Sequence, residues 1–102
     1  MNKTQKERLF FVANQNKNIM LNMVDWTEMV VDIIEKEGTL RKAIGMTFNF
    51  NEETRHKGLY GTIDGATCYC SNLVKEGYIR VSNIDKPRIT DENDWSSEML
   101  ME

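Results

Sequence analysis

The fold is decided by residues 62–93, which read TIDGATCYCSNLVKEGYIRVSNIDKPRITDEN. Apolar residues in the first half of this stretch recur at helical spacing, which predicts a helix over residues 64–76. After Gly77 the apolar residues alternate with polar ones, which predicts a strand over residues 78–82. A turn rich in Asn, Asp and Pro follows, and we expect residues 88–90 to pair back as the second strand of a hairpin.

The whole chain has the composition of one small globular domain, residues 1–102. It contains 40% apolar and 28% charged residues, a balance typical of folded proteins. No window approaches the roughly 18 apolar residues of a transmembrane helix, and the apolar run at residues 9–13 is too short for a signal peptide. Two cysteines do not make a disulfide framework. We therefore expect a cytoplasmic protein that does not contact a membrane.

Two helices are predicted before the deciding stretch. A capping-box pattern begins a helix expected over residues 4–22, and a well-spaced apolar face predicts a second helix over residues 25–38. Residues 39–61 fit no single pattern, and they could hold a short helix, then a strand or an ordered loop, then a further helix. The acidic C-terminal segment, residues 93–102, is expected to form a short helix or a tail.

The order helix, hairpin, helix over residues 62–92 resembles the second half of a winged helix-turn-helix domain. In that family the recognition helix ends in a pattern like L-x-x-x-G-Y-I, a two-stranded wing follows, and a segment like L-T-x-E closes it. The matching residues here are Leu73, Gly77, Tyr78 and Ile79 for the first pattern, and Ile89, Thr90, Asp91 and Glu92 for the last. The resemblance implies a mostly α fold with a small β-hairpin, a winged helix-turn-helix of the α+β class, with residues 25–92 as its core.

The resemblance and the chemistry of the predicted helix both point to double-stranded DNA. An α-helix fits the major groove, where base edges are distinguishable, and burial of its apolar face would turn its polar residues outward. Basic residues of the predicted wing and of residues 55–57 can neutralise phosphates. The candidate DNA-binding residues are Thr67, Tyr69, Ser71, Asn72, Lys75, Lys86, Arg88, Arg55 and Lys57.

The charge is unevenly distributed along the chain. The net charge of −3 argues mildly against nucleic acid. However, residues 1–18 and 39–90 each carry a net charge of +3, whereas residues 19–38 carry −4 and residues 91–102 carry −5. Either the acidic residues lie on solvated helix faces, or the protein has one basic face from which they are kept away.

Metal binding and catalysis find little support in the sequence. On a helix, Cys68 and Cys70 would point about 200° apart, and together with His56 they give only three ligands. No nucleophile or orienting carboxylate is specified beside His56. We therefore predict no metal, no cofactor, no small-molecule ligand and no enzymatic activity.

The combined prediction is a small sequence-specific DNA-binding protein, a transcription or replication regulator of phage, virus or plasmid type. The apolar residues of the first helix exceed what one small core needs, so we expect a homodimer held by residues 4–23. A second class of protein is also open: a small protein that blocks a partner protein through an acidic surface rich in methionine and aromatic residues. In that case the acidic residues 91–102 would dock the partner, or would mimic the charge of nucleic acid toward a basic partner.

Overall fold

The computed structural model describes residues 1–37, 47–49, 60–63 and 66–102. Within those ranges the chain forms two α-helices and a six-stranded mixed sheet, which makes it a small α+β domain. None of the described helices is long and apolar enough to cross a membrane. In chain order the elements are α1 (Lys3–Gln15), β1 (Asn18–Leu21), α2 (Met23–Glu37), β2 (Thr47–Asn49), β3 (Tyr60–Ile63), β4 (Ala66–Cys70), β5 (Tyr78–Ser82), a short 3-10 helix (Glu92–Asp94) and β6 (Met99–Leu100).

The sheet is organised around β1. Its strand order is β2-β3-β4-β1-β5-β6, with β1 parallel to β4 and every other neighbouring pair antiparallel. All four residues of β1 are buried. They are buried because β1 has a strand on each side and because side chains cover both faces of the sheet at this position.

The two faces of the sheet are covered differently. Met20 faces one side and its neighbours Ile19 and Leu21 face the other, because side chains alternate along a strand. On the first face α1 and α2 pack onto the strands and form the main core, whose buried members include Leu9, Val12, Ile19, Leu21, Met29, Ala66, Cys68, Ile79 and Met101. On the second face the residues before and after β5 provide the cover, and the buried cluster is Met20, Val74, Ile89 and Trp95.

The helix predicted over residues 4–22 is wrong in its second half. α1 is capped by Asn2, whose side-chain oxygen accepts a hydrogen bond from the Gln5 N–H at 2.8 Å. The helix ends at Asn16, whose backbone is extended. The Asn16 side-chain amide donates a hydrogen bond to the Val12 carbonyl oxygen at 2.8 Å. The apolar residues that follow lie in β1 and are buried inside the domain. Most of the apolar residues on which the homodimer prediction rests, Leu9, Val12, Ile19 and Met20, thus lie in the domain's own core, whereas Phe11 and Met23 are exposed.

The helix predicted over residues 64–76 is wrong, and the winged helix-turn-helix is not the fold of this chain. The segment forms β4, followed by a turn over residues 71–77. β4 pairs with β1 on one side and with β3 on the other, so its backbone groups bond to neighbouring strands instead of along a helix. Ala66 and Cys70 are four residues apart, a spacing that fits a helix and also every second position of a strand.

The predicted hairpin and C-terminal helix are wrong as well. The first strand of the hairpin is present as β5, but β1 and β6 occupy its two edges. Residues 88–90 therefore do not pair with β5. They lie in a loop in which the Asp94 carboxylate accepts from the Arg88 N–H at 2.8 Å. In place of a helix over residues 93–102, the chain forms the 3-10 helix and then β6.

Two further predictions concern α2 and the segment after it. The helix expected over residues 25–38 is present as α2, which begins two residues earlier. Of residues 39–61, the structure describes residues 47–49 and 60–61 as parts of β2 and β3. The other predictions for this segment lie outside the described residues.

Removal of the Asp25 carboxylate is expected to destabilise the fold. Asp25 is 3% exposed and accepts from the Gly77 N–H at 2.7 Å. We expect Asp25→Ala to lower the free energy of unfolding by about 1–3 kcal/mol, because that N–H would lose its partner in a partly buried position. Urea denaturation measures the change. Asp85→Ala is the control: this exposed carboxylate pairs with Lys17 at 3.4 Å, and its loss should cost less than about 1 kcal/mol. Equal costs would contradict this account of Asp25.

Candidate functional site

The predicted DNA-binding residues do not lie together on one helix. Thr67 and Tyr69 lie on β4, on the sheet face opposite the helices, and both are half-buried. Tyr69 meets Trp95 edge to face, with 5.4 Å between the ring centroids and 83° between the ring planes. Arg55 and Lys57 lie outside the described residues.

Three more of these residues lie in the turn after β4, where two of them have structural roles. The Ser71 hydroxyl accepts from the Leu73 N–H at 3.1 Å. The Asn72 Oδ1 atom accepts from the Met23 N–H, at the start of α2, at 3.3 Å. Lys75 is exposed. Asn72 is the residue best suited to pair with an adenine edge, but its side-chain oxygen is engaged by the backbone of the domain itself.

Lys86 and Arg88 lie on the loop between β5 and the 3-10 helix, and both are exposed. Lys86 has a φ of 51°, in the left-handed region that is unfavourable for lysine. The loop itself, residues 83–91, carries Asp85 and Asp91 against these two basic residues, a net charge of zero. The loop predicted to contact phosphates therefore has no net positive charge of its own to favour binding to a polyanion.

The turn after β4 is fastened to the first turn of α2 by asparagine side chains. Asn22 donates from Nδ2 to the Val74 carbonyl oxygen and accepts from the Val24 N–H at Oδ1, both at 2.9 Å. Asn72 accepts from the Met23 N–H, so the first two amides of α2 both have side-chain partners. These two amides are therefore not available to bind a phosphate at the helix start.

An exposed apolar patch lies at this junction. Met23 and Val24 in the first turn of α2 are 50% and 44% exposed, and Leu73 in the turn after β4 is 56% exposed. The hydrogen bond between Asn72 and the Met23 N–H places these two chain segments side by side. Clustered large apolar side chains at a surface mark interaction sites, whereas single ones are ordinary. We call Met23, Val24 and Leu73 the apolar patch.

The residues that border the apolar patch are more acidic than basic. Glu28 lies one turn further along α2, and Glu76 lies in the same turn as Leu73; both are exposed. The Glu98 carboxylate accepts from the Lys75 N–H at 3.2 Å, which brings a third acidic side chain to this turn. Glu28 is paired with the amino-terminal ammonium of Met1, so Glu76 and Glu98 against the Lys75 amine leave a net charge of −1 beside the patch.

The apolar patch is not predicted from the sequence, because helical spacing places Leu73 on the buried face of a helix that does not form. The buried residue of this turn is Val74, with 0% exposure. The sequence did contain a signal: residues 71–77 read SNLVKEG, and Ser, Asn and Gly are typical of turns. Asn22 is likewise a typical residue to cap a helix that begins at Met23.

The cysteines are buried on one face of β4. Cys68 and Cys70 are two residues apart on a strand and thus face the same side of the sheet, not opposite sides as on a helix. Burial raises the pKa of the Cys70 thiol to about 11 and raises the pKa of the Cys68 thiol well above its ordinary value. In the part of the chain that the structure describes, no three His, Cys, Asp or Glu residues are grouped to hold a metal ion. His56 lies outside that part.

Comparison of the chain with protein families, with characterised proteins and with solved structures finds no significant match. The function must therefore be inferred from the surface of the domain. Its described features define an α+β domain with a pre-formed apolar patch bordered by carboxylates.

The cysteine thiols are expected to react slowly with Ellman's reagent in the folded protein. At about pH 8 the raised pKa keeps Cys70 protonated, and burial shields both thiols from the reagent. We expect the native protein to react at least about tenfold more slowly than the denatured protein. Equal rates in the two states would contradict the buried placement of β4.

The same raised pKa predicts a loss of stability in alkali. The unfolded chain releases the thiol proton near its ordinary pKa of about 8.5, whereas the folded chain retains it up to about 11 at Cys70. The thiol's contribution to stability is therefore complete below the unfolded pKa and is lost as the pH rises through the folded pKa. Urea denaturation across this range should show a smaller decline for Cys70→Ala than for the unmodified chain.

Proposed function

We propose that this protein binds a partner protein through the apolar patch of Met23, Val24 and Leu73. The observation that carries the proposal is that three large and roughly half-exposed apolar residues lie on two distant segments that hydrogen bonds hold together. Each Å² of apolar surface that a partner removes from water contributes roughly 25 cal/mol. A partner protein supplies the apolar surface that such a contact needs.

The apolar patch is held in position before any partner binds. Asn22 and Asn72 connect the turn after β4 to the first turn of α2, and the bond from Gly77 to Asp25 holds the other end of the turn. Because these segments are already ordered, binding loses little further backbone entropy. Apolar anchors at the centre with polar groups around them are also the arrangement found at energetic hot spots of protein interfaces.

The carboxylates around the patch select the chemistry of the partner. Glu76 and Glu98 would be favourable opposite lysine or arginine side chains and unfavourable opposite acidic ones. We therefore expect the partner to present an apolar segment bordered by basic residues. The net charge of −3 on the chain favours encounter with such a surface.

This proposal belongs to the second class of protein that the sequence leaves open, a small protein that blocks a partner protein. Duplex DNA binding by a transcription or replication regulator stays a prediction. Two of its supports are lost, because the predicted recognition helix is a strand and a turn, and the predicted wing does not form a hairpin. The homodimer, the cytoplasmic location and the lack of enzymatic activity, cofactor and metal also stay predictions.

Replacement of two patch residues by glutamate is expected to abolish partner binding. Proteins captured from an extract of the source cells on the immobilised chain are identified by mass spectrometry, and each candidate is then purified. Calorimetric titration of a purified partner measures its affinity for the unmodified chain and for Val24→Glu/Leu73→Glu. We expect the double variant to bind at least about tenfold more weakly, a loss of about 1.4 kcal/mol, because charges would enter the apolar contact.

Ile84→Glu is the matched control. Ile84 is 46% exposed, but it lies on the loop after β5 and not in the patch. This variant should bind like the unmodified chain, and circular dichroism shows whether each variant is folded. Equal weakening by the control, or the failure of every purified candidate to bind, would refute the proposal. Duplex DNA is titrated at low and high salt in parallel, and salt-sensitive binding that the double variant retains would favour the DNA-binding prediction.

A further inference from the structure

The last strand of the sheet, β6, belongs to a longer segment that lies along β5. The Ser96 N–H donates to the Val81 carbonyl oxygen at 2.9 Å, and the Met101 N–H donates to the Gly77 carbonyl oxygen at 3.0 Å. Within the described residues, no strand lies beyond β6 in the strand order. The side of residues 96–101 that faces away from β5 is therefore an edge of the sheet.

The backbone N–H and C=O groups of Leu100 point to this edge. Met99 is paired with Ile79 of β5, and Met101 bonds to Gly77, so the residues on both sides of Leu100 direct their backbone groups to β5. Along a strand these groups point alternately to one side and the other. Those of Leu100 are thus turned away from β5. A backbone donor and acceptor at the edge of a sheet can pair with an added strand.

The edge also has a pattern of side chains. Leu100 is 51% exposed, and Glu98 and Glu102 lie two residues before and two residues after it. The Glu98 carboxylate accepts from the Lys75 N–H at 3.2 Å, and the Glu102 carboxylate accepts from the Asn2 side-chain amide. Both donors are uncharged groups, so they leave the negative charge of each carboxylate uncompensated. An exposed apolar residue therefore lies between two acidic ones.

We propose that the partner protein adds an extended segment to β6 as an antiparallel strand. An apolar residue of that segment lies opposite Leu100, and basic residues lie opposite Glu98 and Glu102. In strand addition the main-chain hydrogen bonds give affinity, and the side chains at alternate positions give specificity. Opposite charges across neighbouring strands are favourable.

This docking mode rests on the proposed function, because it concerns the same partner. β6 lies beside the turn that carries Leu73 of the apolar patch. Lys75 of that turn bonds to Glu98, just before β6. Gly77 at the end of the turn bonds to Met101, just after β6. A segment added to β6 is therefore close to the apolar patch, and it has the chemistry expected of the partner, an apolar centre bordered by basic residues.

A second copy of this chain does not fit the edge. Antiparallel pairing of two β6 strands about Leu100 would place Glu98 of each copy opposite Glu102 of the other. Like charges directly opposite each other in a sheet are destabilising. A segment with basic residues at these two positions replaces that repulsion by attraction.

A synthetic peptide with blocked ends, Thr-Lys-Thr-Val-Thr-Lys-Thr, is the probe for strand addition. Its valine pairs with Leu100, and its lysines then lie opposite Glu98 and Glu102. The peptide is titrated into the isotope-labelled full chain, and NMR follows the exchange of each backbone amide with solvent. We expect the Leu100 amide to exchange at least about tenfold more slowly when the peptide is bound. The amides of Met99 and Met101 should be protected with and without the peptide, because they bond to β5.

Three matched peptides separate main-chain pairing from charge. N-methylation of the valine removes the N–H that bonds to the Leu100 carbonyl oxygen, and we expect the dissociation constant to rise at least about tenfold. N-methylation of the next threonine removes an N–H that points away from β6, and the affinity should stay within about twofold. A peptide with glutamate in place of both lysines should bind at least about tenfold more weakly at low salt.

Leu100→Pro carries the test to the purified partner. Proline removes the N–H that points to the open edge, a position at which an edge strand tolerates proline, and partner affinity should fall at least about tenfold. Leu100→Ala keeps this N–H and should bind more tightly than Leu100→Pro. Circular dichroism checks that both variants are folded.

Two results with the peptides overturn strand addition. One is that the unmodified peptide at about 1 mM, a weak-binding concentration, leaves the Leu100 amide unchanged. The other is that both N-methylated peptides bind equally well. A partner that Val24→Glu/Leu73→Glu weakens but Leu100→Pro does not would also overturn strand addition, and it would leave the proposed function intact. The reverse result would refute the apolar patch and keep the strand at β6.

Discussion

The hydrogen bonding of β1 on both of its sides is the constraint on which the rest of this structure depends. All four residues of β1 are buried, and buried backbone amides and carbonyls need hydrogen-bond partners. β4 supplies them on one side in parallel register and β5 on the other in antiparallel register. α1 and α2 immediately precede and follow β1 in the chain, so the position of this strand also sets where both helices pack.

The parallel pairing of β1 with β4 also builds the apolar patch. Parallel strands end at the same edge of a sheet, and Leu21 is paired with Cys70 at that edge. The chain continues from β1 through Asn22 into α2, and from β4 through Asn72 into the turn. The two asparagines therefore meet although they are far apart in the sequence, and their hydrogen bonds hold Leu73 beside the first turn of α2.

The structure shows where the unevenly distributed charges of the sequence lie in the fold. In the described residues the basic side chains do not form a single face. Those of α1 lie on the helix side of the sheet, whereas Lys86 and Arg88 lie in a loop of zero net charge that belongs to the other face of the sheet. α2 packs onto the sheet through Met29, and its Asp25 carboxylate is buried and accepts from the Gly77 N–H.

The sequence by itself determined α2 and β5, because helical spacing, strand alternation and the break at Gly77, where φ is +87°, are local properties. It did not determine β4, because Ala66 and Cys70 fit a helix and a strand equally well. Nor did it determine the apolar patch, since exposure of Leu73 depends on the turn that replaces the predicted helix. Tertiary structure decided both: the partner of β4 is β1, a strand distant in sequence, and local spacing carries no information about that pairing.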